Sequence, residues 1–223
     1  MKTLVVIPAF NESAHLGRLL KKISSFIPLK DVLIIDDGSR DKTAVVAKNA
    51  GAVVLSFSVN QGKGRALRAG FDFAIKKGYD AVITMDADGQ HDPSELPKFL
   101  KQFKKNGADL IIGTREQNIS EMPLLRYFVN KTTSLVTSIL TGVRVNDSQS
   151  GYRLIKRNLL KKVNLKTSRF QTETEIIVKA ARAGFKIGEI PIETIYLENL
   201  KSHINPFIDT YRFIRLSLRL LWR

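Results

Sequence analysis

Five short apolar runs, each followed by a stretch of different periodicity, constrain this chain more than anything else in it. The runs at 3–7, 32–35, 52–57, 81–85 and 109–112 are rich in Val, Ile and Leu and largely continuous rather than alternating. Strands of that composition are covered on both faces. Helical periodicity falls between them at 12–26, 42–49, 64–77 and 94–105, with Gly51, Gly78 and Gly107 where helices commonly close. The pattern predicts an α/β fold: a mostly parallel central sheet flanked by helices. Ligands on such sheets bind beyond the carboxyl ends of the strands, so the chemistry is expected in the loops after the apolar runs.

Beyond residue 120 the pattern is less regular, with helices expected at 124–140 and 173–183, a polar loop through 146–150 and a strand at 186–190. No repeat, low-complexity tract or Pro/Gly-rich linker divides the chain, which argues for one domain over residues 1–205 and an appended segment, 206–223. The absence of cysteine excludes thiol catalysis, disulfide scaffolds and zinc ribbons, and three histidines make a poor His-rich metal site. The net charge of +15 is uneven: residues 1–120 carry 18 basic and 13 acidic side chains, residues 121–223 carry 18 and 8. The second half is therefore the expected contact surface for something anionic, whether nucleic acid, a phosphorylated substrate or an acidic membrane face. Nucleic acid is disfavoured, because neither aromatic-rich basic strands nor a recognition motif is present. No apolar run approaches the roughly 18 residues of a membrane span, and the N-terminus reads as a strand rather than a signal peptide. A soluble or peripheral protein of a reducing compartment is expected.

The loop after the first run, Pro8-Ala9-Phe10-Asn11-Glu12, has none of the glycines that let a backbone approach a dinucleotide pyrophosphate. Gly62-Lys63-Gly64 has neither the spacing nor the Ser/Thr of a P-loop. Asn11 fits a helix N-cap, with Glu12 in the first turn. After the second run, Asp36-Asp37-Gly38-Ser39 precedes Asp41. One acid there serves a turn, and the adjacent one is left to accept hydrogen bonds from a nucleobase or ribose. The most informative stretch follows the fourth run, from Asp86 to Glu95. Asp92, Pro93 and Glu95 fit N-cap, N1 and N3 of the next helix, which leaves Asp86 and Asp88 unexplained. With the amide oxygen of Gln90 they offer hard oxygen ligands at alternate positions, suited to Mg²⁺ or Mn²⁺. A cation there would neutralise a diphosphate leaving group.

With these three motifs in this order on these loops, the chain resembles the family-2 glycosyltransferases of GT-A fold, most of all the dolichyl-phosphate mannosyltransferase branch and related polyprenyl-phosphate glycosyltransferases, over roughly residues 1 to 195. The resemblance implies inverting transfer of a sugar from a nucleotide-diphosphate sugar, of GDP-mannose or UDP-glucose type, to a polyprenyl or dolichyl phosphate on the cytoplasmic face of a membrane. It implies that Pro8, Phe10 and Glu12 line the nucleoside pocket with Asp37 near the base or ribose. It puts Asp86, Asp88 and Gln90 at the metal and diphosphate, and Arg115 and Arg126 at the reacting phosphates. Asp147 and Ser150-Gly151-Tyr152-Arg153 match a second loop of the branch. Asn130 stands where relatives often have Ser, and Lys201-Ser202-His203 only approximates their Ser-Lys element.

An acceptor phosphate with its second pKa near ~6 is already largely ionised at neutral pH, so it needs orientation more than a base. A sugar-hydroxyl acceptor would need one, and Asp147 or Glu173 would be the candidates. A sugar nucleotidyltransferase is a further reading, disfavoured because no Gly-rich, basic loop follows the first run. In the segment 206–223, Arg212, Arg215, Arg219 and Arg223 fall within about an 80° helical arc, and apolar residues occupy the remainder. Such a helix suits an anionic membrane interface or packs on the domain or a second subunit.

Overall fold

The computed structural model describes residues 2–115, 124–168, 171–193, 195 and 213–217, with the side chains of 106 and 124–126 left outside that description. The first strand, β1 (Thr3–Ala9), sends alternate residues to opposite faces, as strand geometry dictates. Val5, Ile7 and Ala9 enter one apolar cluster, Leu4 and Val6 the other. Around it β2 (Val32–Asp36), β3 (Val53–Ser56) and β4 (Ala81–Thr84) pair in parallel. The returning helices are α1 (Ser13–Ile23), α2 (Thr43–Asn49) and α3 (Lys63–Lys76). In α1, Leu16, Leu19, Leu20 and Ile23 are buried along one stripe; covering a side chain of that size stabilises by about 1.5–3 kcal/mol. On the other face α3 lies directly over β1, because a Cβ at Gly70 would come within 2.4 Å of a Val6 methyl.

The helix expected at 94–105 opens as a 3-10 turn, Pro93–Glu95, before α4 (Leu96–Asn106). Asp92 caps that turn by accepting from the Ser94 N–H (3.0 Å). Asn11 is not the N-cap of α1. Glu12 holds that position, and Asn11 has φ 58° and accepts from the Arg40 N–H at 2.8 Å. The opening amides of α1 are satisfied from the next loop instead, Ser13 N–H donating to Asp41 (3.0 Å) and Glu12 N–H to the Thr43 hydroxyl (2.8 Å). The first two loops are thereby stitched together.

The second half comprises β5 (Leu110–Arg115), α5 (Leu124–Thr141), β6 (Arg153–Lys156), α6 (Arg157–Lys162), α7 (Gln171–Arg182) and β7 (Ile187–Ile192). Neither β6 nor α6 is foreshadowed by the sequence pattern: β6 is four residues with a cation at each end, and α6 is six residues, too short for periodicity to show. β6 is also the strand that breaks the parallel rule. It runs antiparallel to both neighbours, giving the order β3-β2-β1-β4-β6-β5-β7. Beyond β7, residues 213–217 form a helical turn with Phe213 and Leu216 buried and Ile214 and Arg215 exposed. Leu216 meets Val178 of α7, with Leu140 of α5 packed against them. In this turn Phe213 and Leu216 face the protein, and Ile214 faces outward with Arg215. Arg212, Arg219 and Arg223 lie outside the described residues, as does the rest of 206–223. Among the described residues no helix is long and apolar enough to cross a membrane.

Candidate active site

The chain leaves β4 at Thr84 and within two residues presents Asp86, whose carboxylate lies 2.6 Å from the Lys63 ammonium. Lys63 opens α3 and reaches Glu173 of α7 as well, at 2.9 Å. Burial acts to raise the Asp86 pKa, but the charge and hydrogen bond of Lys63, with Arg115 further off, outweigh it and bring it down to about 2. Burial works against the Lys63 charge too, and the two carboxylates overcome it, so its pKa lies above the ordinary lysine value. Lys63 is thus a fixed cation between two fixed anions. His91 is buried, accepts the Asp86 N–H on Nδ1 (3.0 Å) and stacks on Tyr152 at 4.9 Å. Burial depresses its pKa in spite of Asp86 and Asp88, and an accepting Nδ1 is the mark of neutral imidazole. His91 shapes the loop as an uncharged ring.

A second pair faces this one. The Arg115 guanidinium, at the end of β5, grips Asp147 through Nε (2.7 Å) and Nη2 (3.0 Å), and Asp147 is fully buried. Burial would lift the Asp147 pKa, but Arg115 holds it below the usual carboxylate range. The loop carrying Asp147 is fastened by Arg153, whose guanidinium donates to the carbonyls of Ser150 (2.7 Å), Glu173 (2.5 Å) and Ser148 (2.8 Å). It is also docked on α5, where the Ser134 hydroxyl accepts the Ser148 N–H at 3.0 Å. Gly151 brings the two pairs together. A Cβ there would sit 2.8 Å from the Asp86 carboxylate and 3.0 Å from Lys63 Nζ.

Asp88 accepts the Gln90 N–H on one oxygen (3.0 Å), and among the described residues it is the carboxylate of this group without a cation beside it. Among those residues no three His, Asp or Glu side chains form a ready cage for a metal. The donors do fit a hard divalent cation: Asp88 with an oxygen to give, the Gln90 amide two residues on, and Asp86 on the same loop.

The other expected residues fall at the same edge of the sheet with varied duties. Pro8, Phe10 and Glu12 follow one another at the carboxyl end of β1, beside the loop that begins at Asp36. Asp37 is buried, and its carboxylate accepts the backbone N–H groups of Gln61 (2.7 Å) and Gly62 (2.8 Å). It anchors the approach to Lys63. Arg126 lies in the first turn of α5, with its side chain outside the description; Asn130 is buried on that helix, and 201–203 are not described. The residue that sequence reasoning passed over is Lys63, set aside with Gly62 and Gly64 as a failed P-loop. A signal existed: a lysine at the first position of a helix opposes the macrodipole, and such placement asks for counter-charges nearby.

A half of parallel strands, an Asp-x-Asp loop at the end of β4 and an antiparallel strand let in beside it define the GT-A class of glycosyltransferases. The match to Glycosyl transferase family 2 spans residues 4–163, and the chain belongs to that family. It is 32% identical over 203 residues to the polyprenol monophosphomannose synthase of Mycolicibacterium smegmatis, covering 86% of this chain and 76% of that one. To the UDP-N-acetylglucosamine–dolichyl-phosphate N-acetylglucosaminyltransferase of Methanococcus voltae it is 31% identical over 237 residues, covering 96% and 94%. The fold is also that of glucosyl-3-phosphoglycerate synthase from Mycobacterium tuberculosis, crystallised with Mn²⁺, UDP and glucosyl-3-phosphoglycerate. That likeness has a TM-score of 0.75 at 21% identity, over 99% of this chain and 78% of the other.

Proposed function

We propose that this glycosyltransferase moves a sugar, with inversion, from a nucleotide-diphosphate sugar to a polyprenyl or dolichyl phosphate at the cytoplasmic face of a membrane. One observation carries the choice of acceptor. Both carboxylates that could serve as a base for a hydroxyl acceptor are committed to cations, Asp147 to Arg115 and Glu173 to Lys63. A phosphate acceptor, ionised already, needs no base. Its oxygen attacks the anomeric carbon as the bond from that carbon to the diphosphate breaks, and the electron pair leaves with the nucleoside diphosphate. The relatives named above are described as acting on polyprenol or dolichyl phosphates.

In this reading the loop at Pro8, Phe10 and Glu12 receives the nucleoside, and Asp37 keeps the segment before α3 in place. Asp88 and Gln90, with Asp86, would hold Mg²⁺ or Mn²⁺, which supplies neutralisation of the diphosphate when bound. Lys63 fixes the Asp86 carboxylate in position, Gly151 lets the acceptor-side loop close over that pair, and Arg115, oriented by Asp147, presents its charge to the reacting phosphates together with Arg126. The two relatives take different sugars by their names, so the donor is a matter for experiment. The test is turnover of GDP-mannose, UDP-glucose and UDP-N-acetylglucosamine with a short, water-soluble polyprenyl phosphate beside the matching alcohol. Product with the phosphate alone is expected. Transfer to the alcohol or to a sugar hydroxyl, with the phosphate inert, overturns the reading.

A further inference from the structure

Helix α5 is inside out. Asn130, Thr133, Ser134 and Thr137 are buried, whereas Phe128 (62% exposed), Leu135 (62%) and Ile139 (71%) face outward. At 100° per residue these three large apolar side chains share about 40° of arc, opposite the polar four. The inner face is polar for a reason already described: Ser134 holds the Asp147 loop, and Thr137 and Ser138 return hydroxyls to carbonyls of their own helix. Nothing of that kind explains the outer face. A soluble protein seldom concentrates large apolar side chains on one exposed stripe unless something covers it.

The surroundings choose the occupant. α5 contains no acidic residue, and Lys131 stands exposed beside the stripe, its ammonium 5.6 Å from the centre of the Tyr127 ring. At the far end of the helix Val143 (41% exposed) and Arg144 are exposed, and so are Ile214 and Arg215, on the turn whose Leu216 packs with Leu140. A second copy meeting this face about a two-fold axis would set cationic helix against cationic helix with no acid to answer. Three side chains also fall well short of the roughly 800 Å² per partner of a stable protein interface. An anionic bilayer answers both points: its headgroups meet the cations, and the acyl boundary takes side chains to a depth of about 5–10 Å.

We infer that the outer face of α5 seats on an anionic bilayer and is the surface through which the enzyme meets the membrane. The occupant, a bilayer, rests on the lipid-phosphate reading above. The geometry adds a consequence. Because the opposite face of the same helix holds the loop of Asp147, a helix lying in the interface keeps the Arg115–Asp147 pair at a fixed height above the headgroups.

The chain has no cysteine, so one can be placed at will. Ile139→Cys and, as control, Val45→Cys on the exposed side of α2 (53% exposed) are labelled with an environment-sensitive dye and mixed with phosphatidylcholine vesicles containing phosphatidylglycerol. The dye at 139 shifts to the blue and that at 45 does not. The double variant Leu135→Glu/Ile139→Glu, with an unchanged melting temperature, binds these vesicles at least tenfold more weakly. Equal shifts at both positions, or wild-type vesicle binding by the glutamate pair, overturn the inference. So does a blue shift at 139 that rises with protein concentration in the absence of vesicles, since a second copy then covers the stripe. Turnover with the short, soluble acceptor separates the two readings: its absence in the wild type counts against the acceptor, whereas its persistence in a glutamate pair that has lost the vesicles is the expected result.

Discussion

Among single residues, Asp88 and Lys63 divide the work of the site between function and structure in the proposed reading. Asp88 is on a loop, half-buried, and among the described residues bonded only to the Gln90 amide two residues on. Asp88→Asn should therefore cut turnover by about two orders of magnitude or more while stability changes by less than ~0.5 kcal/mol, checked by initial rates beside urea titrations. Lys63 is the reverse case. Lys63→Met would leave Asp86 and the well-buried Glu173 facing each other without their shared cation, and breaking such an arrangement costs about 3–5 kcal/mol. Loss of stability together with activity is expected in the same titrations. Acid dependence follows from Asp147 and Glu175, whose pKa values burial would raise but which Arg115, and Lys179 with Thr167 and Lys166, hold below the ordinary range. A carboxylate depressed in the folded state contributes fully above its unfolded pKa near ~4 and loses that contribution as pH falls through its folded value. Stability owed to these groups should be level from neutral pH down to about 5 and decline below about 4. Asp147→Asn should lower stability at neutral pH and flatten the acid limb in melts at stepped pH. The motif acids were legible in the sequence because they exceeded what turns and caps require. The contacts that fix them, from Lys63 to Asp86 and Glu173 and from Arg153 to Glu173, were not, because they reach across 20 to 110 positions that spacing does not encode.

Individual elements were legible in proportion to their length and independence. The strands β1 to β5 and the helices between them announced themselves through apolar runs and closing glycines. The 3-10 turn at Pro93–Glu95 was hidden because its residues also make a good helix start, and β6 was hidden because four residues carry no period. α5 was found but its orientation was not: an apolar side chain in the sequence reads as inward, and only the polar contacts of Ser134 and its neighbours reverse that. The close seat of α3 gives a test at this scale. Gly70→Ala would drive a methyl into Val6, and relief requires the helix to lift from β1. The expected cost is about 1–3 kcal/mol, with turnover falling further than the stability loss explains, since the same helix carries Lys63. Denaturation midpoints and rates measured on folded protein separate the two effects.

At the scale of the whole molecule, the charge asymmetry pointed to the second half for an anionic partner, and the face of α5 that we infer to meet the membrane lies in that half. The segment 206–223 drew attention through its arginine arc, yet its described turn buries Phe213 and Leu216 against the body. Deleting 206–223 should uncover Val178 and Leu140 and lower the melting temperature, by about 2–4 °C for each kcal/mol lost, as calorimetry would register. The strand order carries a different consequence. β3, β2, β1 and β4 form one hydrogen-bonded group, β5 and β7 another, and the two are joined through β6 alone, which comes after both β4 and β5 in the chain. During synthesis the first group can assemble early from neighbouring segments, whereas the join waits for a strand that must enter between two others, and non-local pairing of that kind is slow. Asp147 and Gly151 lie immediately before that strand. On the proposed reading, a nascent chain possesses its donor-side loops for some time before it possesses the loop of Asp147 and Gly151, and costly donor is spared from half-made enzyme.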